Sequence, residues 1–141
     1  MKLTTDTAVT AAMALMAAKL TKMENKDKFA VIRALRALRP VAESYERFCN
    51  DAREKLRPDG YLTLTKRQGA LTASERGELA AAMDSYNRAV GECIAEELRR
   101  ELDFDCEPLS SEAFGALLDS NDFNAATMMA LQDVLCGKEC K

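Results

Sequence analysis

Between residues 31 and 56, small and apolar side chains recur alternately every four and three positions: Val31, Leu35, Leu38, Ala42, Tyr45, Cys49, Ala52 and Leu56. On an α-helix that spacing collects them on one face, the seam by which a helix packs along a partner. A second seam runs through Leu79, Met83, Tyr86, Val90 and Cys93. Six Gly and three Pro in 141 residues leave few breaks, which favours long regular elements. The predicted fold is therefore mainly α, a helical bundle with two long antiparallel helices and shorter flanking helices. It leaves room for a small two-stranded β element, and the length predicts a single helical domain over residues 1–141.

Local signals divide the chain. Thr4, Thr5 and Asp6 are N-cap candidates for a first helix from about Asp6 to Lys22, with Val9, Met13, Met16 and Leu20 as its apolar stripe. A second helix spans about Asp27 to Leu56. Pro40 inside it removes one backbone hydrogen bond and predicts a kink, because the seam keeps its phase across it. Arg57-Pro58-Asp59-Gly60 forms a turn, and Tyr61–Thr65 alternates as a strand would. Thr72-Ala73-Ser74-Glu75 fits a capping box that starts a third helix reaching about Leu102. Gly77 and Gly91 weaken that helix, and Gly91 beside the seam would let a neighbouring backbone approach. Leu102, Phe104, Cys106 and Pro108 alternate with Asp103, Asp105 and Glu107, predicting a half-buried extended segment that pairs with Tyr61–Thr65. Ser110 or Ser111 caps a short helix over Glu112–Leu118, and Asn124 caps a last one over Ala125–Leu135.

Charge is unevenly spread. Residues 1–70 carry 14 basic and 8 acidic groups, a balance of +6; residues 71–141 carry 6 and 15, a balance of −9. The simplest expectation is mutual attraction of the two long helices, supported along their surfaces by the i,i+4 pairs Glu43/Arg47, Asp51/Lys55, Asp84/Arg88 and Glu96/Arg100. Arg33, Arg36 and Arg39 form a basic face that could track phosphates, although no aromatic residue interleaves with them, so nucleic acid is not the expected partner. The apolar stretch Ala8–Ala18 reads as a helix of the mature protein, since Asp6 interrupts the basic region that a signal peptide needs. No apolar stretch reaches the ~20 residues that span a bilayer. Five Cys without a signal peptide point to reduced thiols and a cytoplasmic setting.

The residue types narrow the chemistry. A chain without histidine has no Ser-His-Asp or Cys-His arrangement, no His-containing zinc hydrolase site and no Glu-x-x-His di-iron bundle. Arg67-Gln68-Gly69-Ala70 lacks the features of a phosphate loop. Cys136 and Cys140, with Cys93 and Cys106, could offer thiolates to zinc, but the spacing is not that of paired CxxC motifs and a tail with two spare thiols is the better reading. Asp119–Asn124 opens like a calcium loop, then fails at Phe123 and Ala130, so turn and cap chemistry explains it better. Asp103, Asp105 and Glu107 read as a solvated, protective strand edge. No catalytic residue, cofactor or metal site is expected, and the chain is not expected to be an enzyme.

The opening Met-Lys-Leu-Thr, the Lys/Arg-rich helix from Lys26 to Arg39 and on to Leu56, the Asp59-Gly60 turn, the Glu96-Glu97-Leu98 helix end and the acidic-apolar run from Phe104 to Leu109 occur in an order that resembles small proteins of tailed bacteriophages and prophages, the DUF1617-like type. Pro40, Gly77, Gly91 and the Cys-rich tail depart from that pattern. The resemblance implies a phage setting, as a virion, assembly or accessory protein. The expectation is a non-enzymatic helical protein-interaction module that binds a protein partner or itself, with Met13, Met16 and Leu20 as its adaptable apolar surface. Leu35, Leu38, Tyr45, Met83, Tyr86 and Val90 are expected to form the internal core instead. The alternatives are an inhibitor of a host enzyme or defence complex acting through the acidic half, and a weak nucleic-acid binder acting through Arg33, Arg36 and Arg39.

Overall fold

A computed structural model describes residues 1–58 and 71–137. The chain is mainly α, with five helices and one two-stranded sheet among the described residues. In order these are β1 (Lys2–Thr4), α1 (Thr5–Met16), α2 (Asn25–Leu56), α3 (Ala73–Arg99), β2 (Glu101–Asp103), α4 (Ser111–Asp119) and α5 (Ala125–Leu135). They fall into two compact units, Met1–Tyr45 with Leu98–Lys141, and Glu46–Glu97.

The first unit is built on side-chain size. The inward face of α1 is Ala8, Ala11, Ala12 and Leu15, and these short side chains let α5 lie close against it. α5 contributes Ala130, Leu131, Val134 and Leu135 to the same core. Val31, Ala34 and Leu38 of α2, Ala113 and Leu117 of α4, and Phe104 and Leu109 complete it. β1 pairs antiparallel with β2, setting Leu3 opposite Leu102. The strand partner of Leu102 is thus Leu3, at the start of the chain; the expected partner, Tyr61–Thr65, lies outside the described residues, as do the Asp59-Gly60 turn and Cys140. Thr5, the one buried polar residue among those described, donates both its hydroxyl and its backbone N–H to the Arg100 carbonyl, at 3.0 and 2.9 Å.

Caps set most of the helix ends. Thr4 Oγ1 accepts from Thr7 N at 3.2 Å, Ser110 Oγ from Ala113 N at 3.1 Å, and Asn124 Oδ1 from Thr127 N at 2.8 Å. Each satisfies one of the otherwise orphaned N–H groups of a first turn. α1 ends at Met16 rather than near Lys22. The reason is tertiary: Asn121, beyond α4, accepts from Lys19 N at 2.7 Å and donates to Lys19 O at 2.8 Å and Leu117 O at 2.9 Å. That amide, with Ser120 Oγ accepting from Lys22 N at 3.3 Å, ties down the connection between α1 and α2. Together with the Asn124 cap, it accounts for the polar run 119–124 without a cation.

α2 is a single helix through Pro40. Pro40 is exposed, so the Arg36 carbonyl that it leaves without a backbone donor faces the solvent side and can bond water.

In the second unit, Cys49, Ala52, Leu71, Leu79 and Val90 are buried. Tyr86 Oη donates to the Arg53 carbonyl at 2.8 Å. The Thr72 box closes both ways: Glu75 N to Thr72 Oγ1 at 3.1 Å, and Thr72 N to Glu75 Oε1 at 3.3 Å. Met83, placed in the core by its seam position, is 38% exposed, and Leu56 at the end of the first seam is 40% exposed. Among the described residues, no neighbour outside the helix's own turn lies within 4 Å of a Cβ built on Gly77 or Gly91, so Gly91 serves no close backbone approach there.

Candidate interaction surfaces

α1 turns Met13 and Met16 outward, 61% and 53% exposed, because its alanines occupy the face against α5. Leu20 does not join them. It is half-buried against the core, since the helical period that would place it one turn after Met16 stops where α1 stops. The outward apolar surface of α1 is therefore the Met13/Met16 pair, with Val9 half-buried beside it.

Arg33, Arg36 and Arg39 are all exposed on α2. Arg33 meets Glu107 at 3.4 Å, between side chains 60% and 78% exposed, a pair worth little in water. Arg36 and Arg39 have no ion-pair partner among the described residues, and neither do Glu92 and Glu96 of α3. Glu43/Arg47, Asp51/Lys55 and Asp84/Arg88 do not close into ion pairs; on an exposed helix the entropy of fixing two long side chains offsets the Coulomb gain.

An aromatic residue does stand with the arginines. Phe29, one turn before Arg33, is 60% exposed, and Ile32 is 38% exposed. Sequence periodicity contained this signal: Phe29 and Ile32 fall outside the Val31–Leu35–Leu38 seam, on the face of Arg36. Met129 of α5, 66% exposed, is a further apolar side chain that the sequence reading passed over.

A cleft of the first unit, about 370 Å³, is lined by Met1, Asp105, Cys106, Pro108, Val134 and Cys136, among others. Asp105 holds the Met1 ammonium at 3.0 Å. Cys106 Sγ donates to the Val134 carbonyl at 3.2 Å. Burial, and then the charge of Asp105, push the Cys106 thiol above its ordinary pKa, the opposite of what a nucleophilic or metal-ready thiol needs. Among the described residues, no three Cys, Asp or Glu side chains are grouped to hold a metal, and no helix is long and apolar enough to cross a membrane. No family model, curated protein or solved structure matches the chain.

Proposed function

We propose that this protein is a non-enzymatic helical interaction module that associates with itself or with a protein partner through the outward face of α1. The phage or prophage assembly or accessory role implied by the sequence resemblance is the setting we propose for it. The observation that carries the reading is the sidedness of α1. One face is closed by Ala8, Ala11, Ala12 and Leu15, while two flexible thioether side chains stand in solvent on the other. Methionine pairs make adaptable contacts because their unbranched chains and polarizable sulfur fit irregular surfaces. The contact is apolar, so it is insensitive to salt.

The test is light scattering after size exclusion, under reducing conditions, over a range of concentrations. The wild type forms a multimer that persists in high salt, and Met13→Asp/Met16→Asp is a folded monomer. A folded double variant that associates like the wild type refutes the reading.

A further inference from the structure

Beyond the α1 contact, and on a different element, we infer that the outward face of the first half of α2 binds a single strand of nucleic acid, with Arg33, Arg36 and Arg39 on its phosphates and Phe29 stacked on a base. Phe29, Arg33 and Arg36 follow one another at i, i+4 and i+7, and Ile32, Arg36 and Arg39 do the same, so all five stand on one side of the helix. All five are exposed, while Val31, Ala34 and Leu38 occupy the opposite side and are buried in the core. The face belongs wholly to the first unit.

Its charge has one sign. Residues 26–39 carry five basic groups, Lys26, Lys28, Arg33, Arg36 and Arg39, against one acid, Asp27, which is half-buried. Arg36 and Arg39 have no ion-pair partner among the described residues. Arg33 has one, Glu107, but both side chains stand in water 3.4 Å apart, a weak contact that a phosphate displaces. The chain as a whole is acidic, at −3. At physiological ionic strength, however, charges are screened beyond about 8 Å, so a strand on this face meets its cations and not the net charge.

The ring selects among polyanions. Phe29 is 60% exposed one turn before Arg33, with Ile32 beside it at 38%. Every nucleotide couples a phosphate to a planar base, and stacking on an aromatic side chain takes up unpaired bases of any sequence. A duplex keeps its base faces stacked on each other, and an acidic protein offers carboxylates without that plane. An anionic membrane needs a broad apolar face, and the broad apolar face of α2 is the one buried in the core. Contacts to phosphate and base face do not read the sugar, so DNA and RNA strands are bound alike.

The experiment follows the fluorescence anisotropy of a labelled oligothymidylate titrated with the full reduced chain, from about 0.05 to about 0.5 M salt. With three cations on phosphates, the logarithm of the affinity falls against that of the salt concentration with a slope of about −2, roughly a hundredfold across the range. Arg36→Gln/Arg39→Gln flattens the slope to about −0.7. Phe29→Ala weakens binding at least about fivefold without changing the slope, and Phe29→Trp binds like the wild type. Glu107→Gln tightens binding by releasing Arg33, a gain that a misfolded variant could not show. An oligouridylate binds like the oligothymidylate, and a duplex of the same length binds more weakly. The proposal is overturned by a wild type that leaves the oligonucleotide free at the lowest salt, by folded Arg36→Gln/Arg39→Gln or Phe29→Ala variants that bind like the wild type, or by a duplex that binds as tightly as the single strand. A wild type that binds vesicles of phosphatidylcholine and phosphatidylserine but no oligonucleotide overturns it in favour of a membrane surface. Strand binding does not require association through α1, so failure of one reading is separate from failure of the other.

Discussion

Replacing both Gly77 and Gly91 with alanine should stabilise this protein. Both residues lie within α3 and are exposed, and among the described residues neither has a heavy atom from beyond its own helical turn within 4 Å of the position its Cβ would take. Neither adopts a positive φ, so alanine meets no backbone strain. A glycine in a helix interior is less favourable than alanine by about 0.8–1.0 kcal/mol, chiefly because the unfolded glycine has more backbone freedom to lose. The two sites are about 21 Å apart along the helix at 1.5 Å per residue, far enough for their effects to add. The sum is about 2 kcal/mol. With a urea dependence of about 2 kcal/mol per molar for a chain of this size, the unfolding midpoint moves up by about 1 M. Far-UV circular dichroism in a urea titration measures it, with each single variant contributing about half. A Gly91→Ala variant that lowers the midpoint refutes the reasoning, since its methyl group would then meet a neighbouring backbone, as the seam position first suggested.

Leu131 of α5 is fully buried, and Leu131→Ala should cost about 3 kcal/mol through lost transfer energy and the cavity left behind, read as a lower urea midpoint. A loss under about 1 kcal/mol would mean that the α1–α5 core collapses around the gap. The Cys106 thiol is held up first by burial and then by Asp105, so it carries less thiolate at mildly alkaline pH than a free cysteine. Iodoacetamide should therefore modify it more slowly than a peptide thiol at the same pH, and Asp105→Asn should speed the reaction by lowering that pKa. Peptide mass mapping of the alkylated chain reports both rates, and unchanged modification after Asp105→Asn would remove the electrostatic part of the account.

Cys106 also shows how far the sequence reaches. The alternation of Leu102, Phe104 and Cys106 with Asp103, Asp105 and Glu107 predicted which side chains turn inward, and they do: Phe104 is buried, Leu102 and Cys106 are half-buried, and the acids are exposed. Pro108 breaks the pattern and is exposed, because Leu109 N bonds the Leu135 carbonyl at 2.8 Å and turns the chain there. The same limit applies to the candidate surfaces. Arg33, Arg36 and Arg39 share one helix face by period, and Met13 and Met16 were candidates for a surface because their stripe is Met-rich; all five are exposed. That Leu20 leaves the α1 face and that Arg33 meets Glu107 became evident only once the neighbours of each helix were known.

What the sequence by itself determined is local. The caps at Thr4, Thr72, Ser110 and Asn124 and the inward seams of α2 and α3 depend on residues within one or two helical turns of each other, so a short window contains all the physics that sets them. Pro40 sits on the exposed face of α2, which lets the helix continue through it. What only the tertiary structure decided is long-range. Lys2–Thr4 pairs with Glu101–Asp103, Asn121 ends the reach of α1, and Met83 and Leu56 keep part of their surface in water. A three-residue strand is too short to show a period, and an amide side chain carries no mark of a backbone partner about a hundred residues away. Those contacts form because closing so long a loop adds only slowly to the entropic cost, while the paired backbone groups and the buried face beside them return a larger gain.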